Sequence, residues 1–274
     1  AVTCPDSVTT RRGLARADLF TVVHDPFLSD TARYADIVLP ASTYLESDDL
    51  VRSYGTYYLQ FVRQVVPPQG QARSNARLAQ ELAQRLGLKD PIFTMDTDGL
   101  LRELFRGARS PAVEVDLKDL REGGAVKLAP KPGHQRFATP SGRLEFYSET
   151  LAAQGLPAMP DWIADPLEAE EAKRFPLKLL TAPGYFQAHT AWAGVAALRN
   201  RAGEPECVLH PDDAAARGLK DGQDVELHNR HGAVRLQLRV SDETAPGVAF
   251  VPGQRPAAEA GGGTVNMLCS DRYT

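Results

Sequence analysis

Apolar and polar residues alternate twice in the last quarter of the chain. The first run is Val225-Glu226-Leu227-His228-Asn229 and the second runs from Val234 to Val240, with Arg230-His231-Gly232 between them. A period of two marks half-buried strands, and the glycine supplies the turn that joins them. Val208-Leu209 reads as the end of another strand, halted at His210-Pro211. Asp212 to Leu219 is a short capped helix closed by Gly218, and Lys220 to Gln223 is a tight turn. Ser241 to Gly247 turns again before Val248-Ala249-Phe250-Val251. Short strands with turns at close intervals predict a β-barrel.

The first half reads differently. Leu19 to Val23 is a compact β-branched run that stops at His24-Asp25-Pro26, as a buried strand of a parallel sheet does. Ser29 to Ala35 reads as a short helix with a Ser or Asp cap, and Ile37-Val38-Leu39 as a second strand ending at Pro40. Strand, helix, strand predicts an α/β layer whose strand ends face a ligand. Asn75 to Leu86 is the clearest helix, with Leu78, Leu82 and Leu86 on one stripe read as core and Gly87 at its end. A further helix is expected from Thr97 to Phe105, and a hairpin from Arg136 to Tyr147 that turns at Pro140-Ser141-Gly142. Leu156 to Ala172 reads as a surface linker and carries the domain boundary. The expected organisation is an α/β, Rossmann-like portion over residues 1–165, then an all-β domain over 172–274.

Composition narrows the function classes. The 31 Lys and Arg against 35 Asp and Glu leave a net charge of −4, which argues against a nucleic-acid partner held through phosphates. No apolar run reaches the roughly 18 residues of a membrane span. Cys4, Cys207 and Cys269 stand alone, so neighbouring thiolates build neither an iron–sulfur cluster nor a zinc ribbon. Free thiols in a reducing compartment are expected, and with them a cytoplasmic location, the periplasm being the alternative. There is no Gly-x-Ser-x-Gly and no phosphate loop, so an unrelated hydrolase or transferase lacks its motif.

Candidate binding chemistry gathers at Thr181 to Thr190, Thr-Ala-Pro-Gly-Tyr-Phe-Gln-Ala-His-Thr. A strand from Phe175 to Leu180 feeds Pro183-Gly184, where backbone can approach a ligand, and the stretch then presents Gln187, His189 and Thr190. These groups suit a polar or phosphorylated ligand, and a plain loop with a solvated histidine is the other reading. Asp25, at a strand end, is placed to bond ribose hydroxyls or to close a surface turn. The carboxylates Glu46, Asp48 and Asp49 fit no calcium-loop pattern and read as a solvated loop. Gly261-Gly262-Gly263, before Thr264-Val265-Asn266, lets backbone come close to a ligand or simply flex.

Several of these segments, in order, resemble the molybdopterin oxidoreductases of the dimethyl-sulfoxide-reductase type. Val23-His24-Asp25 followed by Thr31 to Pro40 is similar to the family segment "D…TA.yADivLPa", and Glu46 matches its next glutamate. Thr139 to Phe146 resembles "TPSGkiE", and His210 to Gly222 resembles the barrel signature "p.DA..lGi.dGd.V.v…rG". Val265-Asn266-Met267-Leu268 is similar to "vN.Lt". The resemblance implies the later portion of a catalytic subunit: the end of an α/β domain, then a double-psi-type β-barrel that binds a molybdopterin guanine dinucleotide carrying molybdenum or tungsten.

Carried over by position, the resemblance places guanosine at His24 and Asp25, and further cofactor contacts at Ser47, where some members have a lysine, and Asn75, near where they have an aspartate. Thr181, Ala182, Pro183, Gly184, Gln187, His189 and Thr190 fall on the cofactor loop, and Asn266 on the binding asparagine. Ala182-Pro183 stands where the family often has Gly-Arg, which removes a guanidinium able to grip phosphate in bidentate fashion. Cys4 does not match the position of the family's metal ligand. No catalytic residue and no metal ligand is therefore assigned to this chain, and any iron–sulfur cluster is expected outside it. The implied partners are the remainder of the catalytic subunit and an electron-transfer subunit. The chain is expected to be a piece of such an enzyme, inert by itself. The alternative is a cofactor-free structural homologue in a respiratory-complex large subunit.

Overall fold

The computed structural model describes residues 3–107, 115–128, 137–162, 168–186, 188–253, 255 and 263–270. Its elements run α1 (Ser7–Leu14), β1 (Val22–Asp25), β2 (Ile37–Pro40), β3 (Asp49–Arg52), β4 (Tyr58–Val62) and α2 (Asn75–Arg85). They continue with α3 (Thr97–Gly107), α4 (Leu117–Gly123), β5 (Ala125–Lys127), α5 (Glu149–Ala153), α6 (Glu168–Arg174) and β6 (Lys178–Ala182). The last are α7 (Ala196–Ala202), β7 (Glu206–Leu209), α8 (Pro211–Ala216), β8 (Asp224–His228), β9 (Ala233–Val240) and β10 (Val248–Pro252). The chain divides into two compact units, one of Ala1–Leu39 with Ile163–Thr274, the other of Pro40–Trp162.

The first unit is built on a mixed five-stranded sheet of order β6-β10-β7-β9-β8. β10 runs parallel to β6 and β9 parallel to β7, while β10–β7 and β8–β9 are antiparallel. The alternation in β9 works as its period requires: Val234, Leu236 and Leu238 point into a core with Leu209, Ala249 and Val251. Cys207 lies in that core, and burial pushes its thiol up to about 11, which makes it an inert packing group. Val265 and Leu268 complete the same core from a 3-10 turn (Val265–Leu268). Residues three apart on such a turn share a face, so two apolar anchors seat the whole turn. The described strands therefore make a mixed sheet.

Also in this unit, β1 and β2 pair as a two-stranded sheet. Asp36 fixes their start: its carboxylate accepts the Thr21 N–H at 2.7 Å, and the N–H groups of Asp36 and Ile37 return to the Thr21 carbonyl. That pairing leaves room for a single 3-10 turn, Ala32–Tyr34, where the sequence predicted a short α-helix.

The second unit holds an antiparallel sheet of order β3-β4-β5 over a core of Leu59, Phe61, Leu101, Leu120 and Leu128. α2 starts and stops as read. Ser74 caps it by accepting the Arg77 N–H at 3.2 Å, and Gly87 follows with φ 73°. Of the face read as core, which has Ala79 and Ala83 beside the leucines, Ala83 is buried, whereas Leu82 and Leu86 are 49% and 75% exposed. The predicted hairpin is a turn without strands. Gly142 donates to Thr139 O at 3.0 Å with φ 67°, but no ladder forms among the described residues from 137 to 147, and Arg136 lies outside them. The linker expected up to Ala172 already contains the start of α6.

Candidate functional site

The carboxyl end of β1 carries His24 and Asp25. Asp25 organises the turn that follows, with one carboxylate oxygen accepting the Phe27 N–H at 2.9 Å and the other the Ser29 hydroxyl at 2.9 Å. A carboxylate offers about four acceptor positions, so each oxygen keeps capacity for a ligand donor.

The second wall starts at the carboxyl end of β6. Thr181 and Ala182 are the last strand residues, held in register with Val251 and Pro252 of β10, and Gly253 donates to the Ala182 carbonyl at 2.7 Å. The strand thus runs two residues further than the apolar run ending at Leu180 implied. Pro183 and Gly184 then leave the sheet. Gln187 lies outside the described residues. Ala191 donates to the Ala188 carbonyl at 3.0 Å, which closes a four-residue turn with His189 and Thr190 at its tip, both exposed. His189 has φ 54°, the left-handed region that glycine ordinarily fills at a turn tip. Trp192 is left-handed as well, at φ 69°. For bulky residues this conformation is strained, and such strain concentrates at ligand clamps.

These two walls meet. A Cβ placed on Gly194 would stand 2.7 Å from Cδ1 of Phe27, so the ring occupies the space that a side chain there would need. Phe27 is two residues past Asp25, and Gly194 four past Thr190. Nothing in the sequence marked this pair, since a lone glycine in a loop carries no pattern.

Asn266 is buried, on the 3-10 turn whose Val265 and Leu268 sit in the core. Three neighbours in the same unit hold that turn. Asn229, in the β8–β9 connection, donates its Nδ2 to the Leu268 carbonyl at 2.7 Å. Gly232 lets the Met267 carbonyl come within 2.8 Å of where a Cβ would be. From α1, Arg11 reaches Met267 Sδ at 3.6 Å and Tyr34 Oη at 3.0 Å, which ties the Asn266 turn to the segment after β1.

Ser47 and Asn75 belong to the second unit. Beside Ser47, the buried Glu46 accepts the Thr43 N–H at 2.6 Å, the Thr43 hydroxyl at 2.9 Å and the Gln69 N–H at 2.8 Å. Those bonds, led by the Thr43 N–H, hold its carboxyl below the usual carboxylate range. Arg73 donates to the Pro40 carbonyl at 3.1 Å and Ser42 to the Arg73 carbonyl at 2.9 Å. The loop bearing Ser47 and the approach to Asn75 are thereby stitched together. The acidic loop is a structural knot at Glu46, with Asp48 and Asp49 bonded to the backbone N–H of Gln64 and Leu50.

A cavity of about 520 Å³ opens beside β8 and β9, lined in part by Glu204, Asp224, Glu226 and Arg235, and none of the candidate residues reaches it. Among the described residues no three His, Cys, Asp or Glu side chains gather as a metal would require, and no helix is long and apolar enough to cross a membrane.

Residues 177–274 match the model of the molydopterin dinucleotide binding domain, and residues 1–85 that of molybdopterin oxidoreductase. The chain is 31% identical over 279 residues to a probable oxidoreductase, YoaE, of Bacillus subtilis, covering all of this chain and 40% of that protein. It is 31% identical to the dimethyl sulfoxide/trimethylamine N-oxide reductase of Rhodobacter capsulatus, covering 83% of this chain and 31% of that one. Acetylene hydratase from Pelobacter acetylenicus has a similar fold, with a TM-score of 0.79 at 26% identity over 98% of this chain and 39% of that one. The chain thus spans well under half the length of these relatives. With two family models matched in the order the motifs imply, the chain belongs to the molybdopterin oxidoreductase family.

Proposed function

We propose that this chain forms the floor for the guanosine-diphosphate tails of a molybdopterin guanine dinucleotide, within an oxidoreductase whose metal-proximal residues lie elsewhere in the protein. The observation that carries this reading is the meeting of the Asp25 turn and the His189-Thr190 turn at Phe27 and Gly194, in the unit that also holds Asn266. The donor set suits the ligand. Asp25 offers acceptors to guanine N–H or ribose hydroxyl groups, and His24 stands beside it. Thr181, Thr190 and His189 supply polar groups, while Pro183-Gly184 lets backbone approach the diphosphate. Pro183, in the arginine's place, leaves that contact without a guanidinium, so backbone amides carry more of it. Gln187, Ser47 and Asn75 keep their assignment as further contacts in this proposal.

When bound, the metal-bearing pterin, with molybdenum or tungsten, supplies oxygen-atom or hydride-equivalent chemistry. The residues here bind and orient its tails, and none is assigned as acid, base or nucleophile. Residues 1–165 are read as the later part of an α/β domain and 172–274 as the dinucleotide domain. The parallel pairs β6–β10 and β7–β9, which join strands distant in sequence, support a double-psi-type closure of the second. Relatives by sequence are named oxidoreductases and one relative by fold is named a hydratase, so the reaction class rests on the former. The remainder of the subunit and an electron-transfer subunit are the partners, with any iron–sulfur cluster outside this chain, and the 274 residues alone are expected to be inert.

The test is made on the full-length protein: metal by mass spectrometry and nucleotide after acid hydrolysis. One molybdenum or tungsten with GMP released is the expected result. The Ala182-Pro183 pair favours a second reading, a cofactor-free homologue with a structural role in a respiratory complex. Absence of both metal and GMP from matured protein would establish that reading in its place.

A further inference from the structure

We infer that Phe27 is the platform on which the base of the dinucleotide stacks, and that its ring makes this site favour a purine over a pyrimidine. This rests on the dinucleotide reading above and adds to it the residue that reads the size of the base.

The turn after β1 holds the Phe27 backbone from both sides. Its N–H donates to Asp25 Oδ1 at 2.9 Å, and its carbonyl accepts the Ser29 N–H at 2.8 Å. The ring is held as well. A Cβ on Gly194 would stand 2.7, 3.0 and 3.4 Å from Cδ1, Cε1 and Cγ of Phe27, so one side of the ring is seated on that residue. Gly194 lies outside the left-handed region that calls for glycine, so what its missing side chain provides is room for the ring.

Fixed by backbone and ring alike, Phe27 is still 47% exposed. A lone exposed apolar residue is ordinary on a protein surface, and what sets this one apart is that it is immobilised beside an acceptor group. An aromatic face held in place before binding stacks on a ligand at little cost in side-chain freedom. Every base has a π-face, and a purine lays two fused rings over a phenyl where a pyrimidine lays one, so the contact favours the larger base. Guanine also carries an N1–H and an exocyclic NH2 group side by side, a pair of donors that a carboxylate accepts together. Asp25 stands on the same turn, and each of its oxygens has taken one hydrogen bond and keeps room for another. Phe27 thus reads the area of the base and Asp25 its edge.

The test uses the full-length protein as wild type, Phe27→Leu and Phe27→Tyr. The first variant removes the π-face and keeps an apolar side chain, and the second keeps the face. With cofactor bound, GMP counted per polypeptide during dialysis should leave Phe27→Leu about fivefold faster than wild type, and Phe27→Tyr within about twofold of it. In full-length protein isolated without cofactor, the preference for GDP over CDP should fall about threefold in Phe27→Leu and hold in Phe27→Tyr. Should Phe27→Leu fail to fold, Phe27→Met takes its place. GDP and CDP weakened alike would mean that the ring only shapes the turn, and would overturn the inference. Wild-type retention and preference in Phe27→Leu would overturn it too, and leave the dinucleotide reading standing. A wild-type protein that carries no GMP and binds neither nucleotide would bring down that reading and the inference with it.

Discussion

The two units secure their candidate ligand residues by opposite means. In the first, the anchors are apolar: Val265 and Leu268 seat the Asn266 turn in the core, and the Phe27 ring fills the space over Gly194. The polar groups riding on those anchors, at Asp25, His189 and Thr190, are left partly or fully at the surface. In the second, the anchor is itself polar. Glu46 is buried and accepts three hydrogen bonds from Thr43 and Gln69, so it fixes the loop before Ser47. A buried carboxylate bonded on both oxygens to its own loop is scaffolding, and an exposed polar group on an apolar footing is a recruit for binding. The comparison is a rule for sorting polar residues in this chain, and it can be broken.

The largest effects belong to the two cores. Leu238→Ala in the first unit and Leu120→Ala in the second each empty a site that is almost wholly buried, 1% and 0% exposed. Each should cost about 2–5 kcal/mol. Hydrogen exchange should quicken in β7 and β9 for the former and in β3, β4 and β5 for the latter. Protection left intact in either set would show that the contact is not the footing described. Next in size is Gly194→Ala. Its Cβ meets the Phe27 ring at 2.7 Å, an overpacking expected to cost about 1–3 kcal/mol. Adding Phe27→Leu should recover part of the loss in thermal unfolding. If the double variant is no better than the single one, the two walls of the site are not joined through this pair.

How far the sequence told this in advance depends on the range of the interaction. β8 and β9 are where the alternation put them, because period-two burial is decided within each strand. The close of α2 was equally legible, since Gly87 acts within one turn of the helix. Its buried face was not. Periodicity says that Leu78, Leu82 and Leu86 share a face with Ala79 and Ala83 beside it, but only tertiary packing decides which of them is covered, and here that is Ala83. Pro140 to Gly142 turns as its chemistry requires, yet a hairpin also needs two pairing strands, which local sequence does not supply. Of the candidate residues, His24-Asp25, the His189-Thr190 tip and Asn266 were readable as positions in ordered motifs. Phe27 against Gly194 was not, because that contact leaves no mark on spacing or composition.

A smaller effect separates scaffold from recruit by pH. The Glu46 carboxyl titrates lower folded than unfolded, so its contribution is complete above the unfolded value of about 4.3 and is lost as pH falls through the folded value below it. Glu46→Gln keeps the shape without that titration. The variant should be less stable than wild type at pH 7, and the gap should narrow as the solution is acidified below about pH 4.3. Parallel curves of Tm against pH would show that the charge of Glu46 does not matter to the loop.

The smallest effect on stability should come from His189→Gly, and it is the sharpest test of the rule. The left-handed backbone at φ 54° costs a histidine and suits a glycine, whereas glycine loses more freedom on folding. The two terms are of similar size, so the net change should lie within about 1 kcal/mol of zero. Binding should behave otherwise. Removing the imidazole from an exposed turn tip deletes a ligand contact without disturbing its footing, and GDP affinity should fall about threefold to tenfold while Tm stays put. That split is what distinguishes a recruited polar group from a scaffold residue such as Glu46, whose replacement moves stability first. A His189→Gly chain that keeps its GDP affinity would return the turn to the status of a solvated loop and leave Asp25 and Asn266 as the groups to question next.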